Sequence, residues 1–234
     1  MILFSFFVFM LYDASFPNAH SQISNLTTFT KDESPFGLSY AEWVAKWWQW
    51  NTLRDNTVYN TDECGNSPNG VVWFVPDVLA GEEDRTCTVP FGTAILIPIN
   101  TGICWNDGNP QPMNDRELLS CATEGQDNTF FNVFVNNTKF DEKFTERIQS
   151  PYFNITIPRD SYTRYHSDDS GNVVECQECR IGIFRALADG YFVFINPSIE
   201  GKYDVTYSYD TISNPNPELQ HAAKVNYHII VANQ

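Results

Sequence analysis

Six cysteines are the residues in this 234-residue sequence whose types and spacing most clearly define a chemistry. Their even number favours disulfide bonds formed in an oxidising compartment outside the cytosol. Pairing each cysteine with its nearest neighbour in sequence is the simplest arrangement. The expected disulfides join Cys64 to Cys87, Cys104 to Cys121, and Cys176 to Cys179.

The last two cysteines form a C-x-x-C unit, a spacing that also serves redox chemistry and zinc binding. Zinc would need four ligands, and His166 is the one histidine nearby in sequence. The flanking residues Glu175 and Glu178 disfavour a reactive thiolate between them. A small structural disulfide between Cys176 and Cys179 is therefore the favoured interpretation.

The four histidines show no metal-binding spacing such as H-x-x-x-H. One sharper hypothesis concerns the N-terminus. If a leader were cleaved after Ala19, the new N-terminal His20 and a further histidine would offer nitrogen ligands to copper, by analogy with polysaccharide-oxidising enzymes on β-sandwiches. Pro17 disfavours cleavage at that bond. His228 lies in a strand pattern and is expected to be a structural residue.

Acidic loops are the second candidate metal site, because Ca²⁺ prefers oxygen ligands. The group at 168–172 offers Asp168, Asp169 and Asn172 as weak candidate ligands. None of the acidic loops has the spacing of a known calcium loop, so they are expected to be solvated. We therefore predict no cofactor, with calcium as the alternative.

Tryptophans are concentrated in one predicted helix. Ser39 and Glu42 have the spacing of a capping box, which marks its N-terminus. Trp43, Trp47 and Trp50 follow at i, i+4 and i+7 and share one helical face. Exposed, they would stack on sugar rings and are candidate ligand-binding residues. Buried, they would anchor the helix to the rest of the protein, which is the favoured interpretation.

Strand signals dominate after this helix. The run at 93–99 is continuously apolar, as in a strand buried on both faces, whereas 203–209 alternates like a half-buried strand. A short helix with Asn114 as its cap is predicted at 113–124, and one or two helical turns are predicted within 141–149. The pattern predicts a mainly β fold, an antiparallel β-sandwich of immunoglobulin-like or jelly-roll-like type, with the Trp-rich helix packed on it. Further strands are predicted at 71–75, 85–89, 129–135, 152–157, 190–195 and 225–231.

Three blocks of residues carry a family resemblance. They are the segment SYAEWVAKWWQW beginning at Ser39, Cys64 followed by GVVWFV, and RTCTVPFGTAILIP beginning at Arg85. With these blocks the chain resembles a group of secreted archaeal and bacterial proteins that have no established function. The resemblance runs from about residue 37 to the C-terminus and implies export and a β-rich fold. It implies no catalytic residue, and the Cys176 region departs from it.

The N-terminal sequence predicts export. Residues 1–12 are almost wholly apolar but too few to span a bilayer, which is typical of a signal peptide. We predict a signal peptide over 1–21, an N-terminal arm over 22–37 and one domain over 38–234; an uncut membrane anchor is the alternative. Three N-glycosylation sequons, at Asn25, Asn136 and Asn154, fit an extracellular or cell-surface location.

The net charge of −15 disfavours binding to nucleic acid. The sequence lacks G-x-S-x-G, H-E-x-x-H and phosphate-binding glycine loops. We therefore expect an exported binding or structural protein without catalytic activity, whose partner is a cell-surface polymer, a protein or another copy of the chain. The alternatives are a secreted hydrolase or copper oxidase acting on polysaccharide, and a surface-lattice or filament subunit that uses 22–37 as a free strand.

Overall fold

The computed structural model describes residues 25–55, 64–78, 81–108, 111–127, 129–167, 173–175, 179–211 and 222–233. The predicted signal peptide with His20, the candidate ligands Asp168, Asp169 and Asn172, and Cys176 lie outside the described residues. The helices are α1 (Tyr40–Asn51) and α2 (Asp115–Glu124), with short 3-10 turns at Pro35–Gly37, Glu142–Phe144 and Tyr162–Arg164. The strands are β1 (Leu26–Thr28), β2 (Val72–Phe74), β3 (Gly81–Pro90), β4 (Ala94–Trp105), β5 (Phe130–Val135), β6 (Thr138–Lys139), β7 (Arg147–Gln149), β8 (Phe153–Ile157), β9 (Tyr165–Ser167), β10 (Val173–Glu175), β11 (Gly182–Pro197), β12 (Gly201–Asp210) and β13 (Ala222–Ala232).

Two sheets pack face to face, which confirms the predicted β-sandwich. The first, which we call the covered sheet, has the order β2-β4-β11, and the far edge of β11 pairs in turn with β8, β7 and β1. The second, the open sheet, has the order β3-β13-β12-β5-β6. Most pairings are antiparallel, but β2 with β4 and β3 with β13 are parallel. The sandwich is therefore mixed at these two pairs of strands, which the sequence patterns did not indicate.

The core between the sheets follows the predicted alternation. Tyr203, Val205, Tyr207 and Tyr209 of β12 are all buried, and the residues between them point outward. The same alternation occurs in β13. Because successive strand residues face opposite sides, each strand contributes every second side chain to the core. Burial of each large apolar side chain stabilises the fold by roughly 1.5–3 kcal/mol.

Helix α1 forms a third layer on the outer face of the covered sheet. The predicted capping box is present, since Ser39 accepts from the Glu42 backbone N–H and Glu42 accepts from the Ser39 N–H. Trp43 contacts Phe74 of β2 and Phe194 of β11, and Trp47 contacts Phe192 of β11. Ala94 and Leu96 of β4 belong to the same buried cluster. Both faces of β4 are consequently buried, which explains the continuous apolar run at 93–99.

Helix α2 covers the end of the covered sheet that the open sheet does not reach. Leu118 and Ala122 pack against Leu187 of β11. Next to them Arg147 donates through Nε to Asp189 Oδ1 at 2.6 Å and through Nη2 to the Thr123 carbonyl at 2.7 Å. Arg147 therefore ties β7 to β11 and also satisfies a carbonyl in the last turn of α2.

The disulfides confirm two of the predicted pairs. Cys64 bonds to Cys87, and Cys104 bonds to Cys121. The first links the segment before β2 to β3, and the second links β4 to α2. Cys179 is also disulfide-bonded.

The structure adds detail to two segments that the sequence patterns described only coarsely. The predicted N-terminal arm contains β1, which pairs with β11 over Leu26–Thr28. This part of 22–37 is therefore already paired within its own chain and is not the free strand that the lattice alternative assumed. The segment 141–149 holds one 3-10 turn, in agreement with the one or two helical turns expected there, and β7 follows it. In the part of the chain that the structure describes, neither α-helix has the length and apolar character that a membrane crossing requires.

Candidate binding face

The Trp helix is an internal anchor in the structure. The side chains of Trp43 and Trp47 are 3% and 0% exposed, respectively. Their indole N–H groups donate to the Pro35 and Val75 carbonyls, both at 2.8 Å. A sugar ring has no access to indole faces buried in this way. Two of the three candidate ligand-binding tryptophans are thus used in packing, and Trp50 is half-buried beside them.

A buried polar cluster lies at the C-terminal end of α1. The Asp77 carboxylate accepts from Asn51 at 3.2 Å and from the Tyr162 hydroxyl at 3.2 Å, and it pairs with Arg54 at 3.5 Å. The Arg54 guanidinium lies 5.5 Å from the ring centroids of Trp50 and Tyr162. The carboxylate is thus engaged by three donors, which is the arrangement of a structural network rather than of a general base. Sequence reasoning missed this cluster because its members come from distant parts of the chain.

The outer face of the open sheet has no helix packed on it among the described residues. Its side chains come from alternate positions of four neighbouring strands and are exposed or half-buried. We call this surface the open face. Its residues are Glu82, Asp84, Thr86, Thr88, Phe130, Asn132, Phe134, Lys202, Asp204, Thr206, Ser208, Asp210, Ala222, Lys224, Asn226, His228 and Ile230.

His228 joins three strands at the centre of the open face. Its Nδ1 lies 2.7 Å from Asp204 Oδ1 on β12, and its Nε2 lies 3.2 Å from Asp84 Oδ1 on β3. The hydrogen bond with Asp204, supported by Asp84, raises the pKa of His228 above its ordinary value. Both ring nitrogens face carboxylates, which agrees with the structural role expected for this residue.

The described residues of the open face form no metal-binding site. Among the described residues, no group of three or more His, Cys, Asp or Glu side chains is placed to hold a metal ion. His228 has both nitrogens engaged, so it offers no free ligand in this conformation. The calcium alternative at Asp168, Asp169 and Asn172 remains a prediction, because those residues lie outside the described ranges.

The aromatic residues Phe130 and Phe134 distinguish one side of the open face. They are 64% and 36% exposed on β5, although both are large apolar side chains. Exposed aromatic side chains offer a partner a large apolar contact area within an otherwise polar surface. Sequence reasoning assigned 129–135 to a strand but did not predict which of its alternate residues would face solvent.

All three sequon asparagines are exposed. Asn25 lies just before β1, Asn136 lies in the turn between β5 and β6, and Asn154 lies on β8. Asn136 and Asn137 adopt positive φ angles of 49° and 61°, which suit a tight hairpin turn and which asparagine tolerates. Exposure is a requirement for glycosylation, and modification at these sites stays a prediction.

No protein-family model and no curated protein matches the sequence. Among solved structures, the chain is similar to "PbICP-C in complex with falcipain-2", with 11% identity, a TM-score of 0.27, and coverage of 69% of this chain and 99% of that one. It is also similar to the cysteine protease inhibitor EhICP2 from Entamoeba histolytica, with 10% identity, a TM-score of 0.25, and coverage of 71% and 100%. Similarity at this level does not define a function for this chain.

Proposed function

We propose that the protein is an exported, non-catalytic binding protein that recognises its partner through the open face. The observation that carries this proposal is the asymmetry between the two sheets. Helix α1 covers the outer face of one sheet, whereas the other sheet exposes polar groups from four neighbouring strands and two phenylalanines from β5. A rigid sheet presents such side chains in fixed positions, which reduces the entropy lost on binding.

Export is supported by the covalent chemistry. Disulfides such as Cys64–Cys87 and Cys104–Cys121 persist in oxidising compartments and are rare in the cytosol. The exposed sequons and the apolar N-terminal segment of the sequence are consistent with the same route. We therefore propose that the protein functions outside the cell or at its surface.

A binding role fits the open face better than catalysis does. His228 is the face's one imidazole, and both of its nitrogens are held by carboxylates. A general base needs a free nitrogen directed at a substrate. His228 and its two carboxylates stabilise neighbouring strands, and the remaining side chains of the face are left for contact with a partner.

Site-specific photocrosslinking tests the proposal. A photoreactive amino acid replaces Asn226 at the centre of the open face, and in a matched control it replaces Lys46 on the exposed side of α1. Each purified protein is irradiated in two mixtures, one with concentrated growth medium of the producing cells and one with their isolated envelopes. We expect adducts from position 226 and none from position 46. Equal adducts at both positions, or none at 226, would contradict recognition through the open face.

A further inference from the structure

One end of the open face contains a shallow cavity that is open to solvent. The cavity has a volume of about 390 Å³ and is lined by residues of β3, β13, β12 and β5. We infer that it binds a segment of a neutral polysaccharide, with the ring of Phe130 packed against one sugar unit. This inference rests on the proposed function and specifies its ligand.

Strand register creates a continuous polar row along the cavity. Asn132 lies opposite Ser208, Ser208 lies opposite Lys224, and Lys224 lies opposite Glu82. Neighbouring strands are about 4.8 Å apart, so the row spans roughly 14 Å across four strands. That length is sufficient for contact with more than one unit of a sugar chain.

The four side chains of this row have polar groups that are available to a ligand. None of Asn132, Ser208, Lys224 and Glu82 forms a side-chain hydrogen bond or an ion pair with any described residue. The contrast with the neighbouring His228 group, whose ring nitrogens are both engaged, is direct. An amide and a hydroxyl can each donate and accept, which matches the alternating donors and acceptors of sugar hydroxyl groups.

A second row of residues, next to the polar row, shapes the cavity. Phe130 lies opposite Asp210, and Asp210 lies opposite Ala222 on the next strand. Ala222 has a small side chain that leaves space, and Phe130, which also lines the cavity, is 64% exposed. An aromatic ring next to hydrogen-bonding groups is the combination that orients a ligand with one apolar and one polar face, as a sugar ring has.

Charge favours a neutral ligand. The lining carries two carboxylates, Glu82 and Asp210, and one ammonium group on Lys224. The whole chain has a net charge of −15, so it repels anionic polymers. The cavity is thus suited to a neutral polysaccharide rather than to an acidic one.

The test is affinity electrophoresis of the native, disulfide-bonded protein. Gels contain dissolved laminarin, xylan or mannan as neutral probes, and alginate as an anionic probe. We expect retardation by at least one neutral probe and none by alginate. Phe130→Ala should weaken that interaction about tenfold or more, and Ser208→Ala about threefold to tenfold. Because Phe130 is exposed, its truncation should leave folding intact.

Phe91→Ala is the matched control, because Phe91 is 43% exposed at the opposite end of the open sheet. It should bind like the unaltered protein. The carbohydrate assignment is overturned if no neutral probe retards the protein, if alginate alone does, or if Phe130→Ala binds normally. If these results coincide with protein adducts from position 226, the open face binds a protein and the proposed function stands. If position 226 also gives no adducts, both proposals fail.

Discussion

The outer faces of the two sheets are built for different tasks. On the covered sheet, Trp43 and Trp47 fill the space between α1 and the strands, and their polar N–H groups find backbone partners. On the open face, charged and hydroxyl side chains remain in contact with solvent, and the central ones pair across strands. The tryptophans of α1, which dominate the sequence, therefore contribute to stability, whereas the phenylalanines of β5 remain exposed to solvent.

The largest effect on stability should come from truncating a buried tryptophan between α1 and the covered sheet. We expect Trp47→Ala to lower the free energy of unfolding by about 3–5 kcal/mol, because it leaves a cavity and removes the hydrogen bond to Val75. Asn226→Ala on the open face should change it by less than about 0.5 kcal/mol. Urea unfolding of the oxidised proteins measures both. If Trp47→Ala does not fold, Trp47→Phe should fold with a smaller loss. Similar losses for Trp47→Ala and Asn226→Ala would remove the distinction between the two faces.

The next effect concerns the crosslinks. Removing Cys64–Cys87 or Cys104–Cys121 by double substitution with alanine should each destabilise the protein by about 3 kcal/mol, since their sequence separations of 23 and 17 close loops of similar length. The first bond reaches the open sheet and the second joins α2 to the covered sheet. Thermal unfolding of the two variants provides the comparison. Loss of stability in one variant alone would show that one side of the molecule does not need its crosslink.

Buried and exposed charge pairs sharpen the comparison further. Asp189 on the covered sheet has a side chain that is 5% exposed, whereas that of Asp204 on the open face is 55% exposed. We expect Asp189→Asn to cost about 2–3 kcal/mol, because Arg147 loses its buried charged partner. Asp204→Asn should cost less than about 1 kcal/mol. Denaturant midpoints of the two variants measure this, and equal midpoints would contradict the assignment of one pair to the interior.

The smallest effect is a pH dependence on the open face. The pKa of His228 is raised in the folded protein above its ordinary value of 6.5. Its contribution is therefore fully present below about pH 6.5 and is lost as the pH rises through the raised pKa. The stability difference between the unaltered protein and His228→Gln should shrink over that rise and stay below about 1 kcal/mol, since the group is solvent-exposed. Unfolding measured at several pH values checks this, and a difference that grows with pH would contradict it.

Periodicity in the sequence predicted much of this contrast. The alternation at 203–209 indicated a strand with one solvent-exposed face, and the apolar run at 93–99 indicated a strand buried on both faces. The structure confirms both predictions. The capping box at Ser39 and the cap at Asn114 predicted the starts of α1 and α2, and the structure has a capping box at both positions. These features depend on neighbours in sequence, which is why local patterns were sufficient to predict them.

Features that depend on strand register could not be predicted. His228 meets Asp84 and Asp204 because three strands align, and no local spacing encodes that alignment. The same holds for the cavity beside Phe130, whose lining comes from four strands. The pairing of Leu26–Thr28 with β11 was missed because a three-residue strand in a polar arm carries almost no periodic signal.

Hydroxyl-radical footprinting of the native protein tests the central asymmetry most directly. Indole rings react at least as readily as phenyl rings when both are exposed, so rates of oxidation report access. We predict rapid oxidation of Phe130 and slow oxidation of Trp43 and Trp47, with Phe130 protected when a retarding polysaccharide or a crosslinking partner is added. Oxidation of the two helix tryptophans as fast as Phe130 in the folded protein would contradict the account.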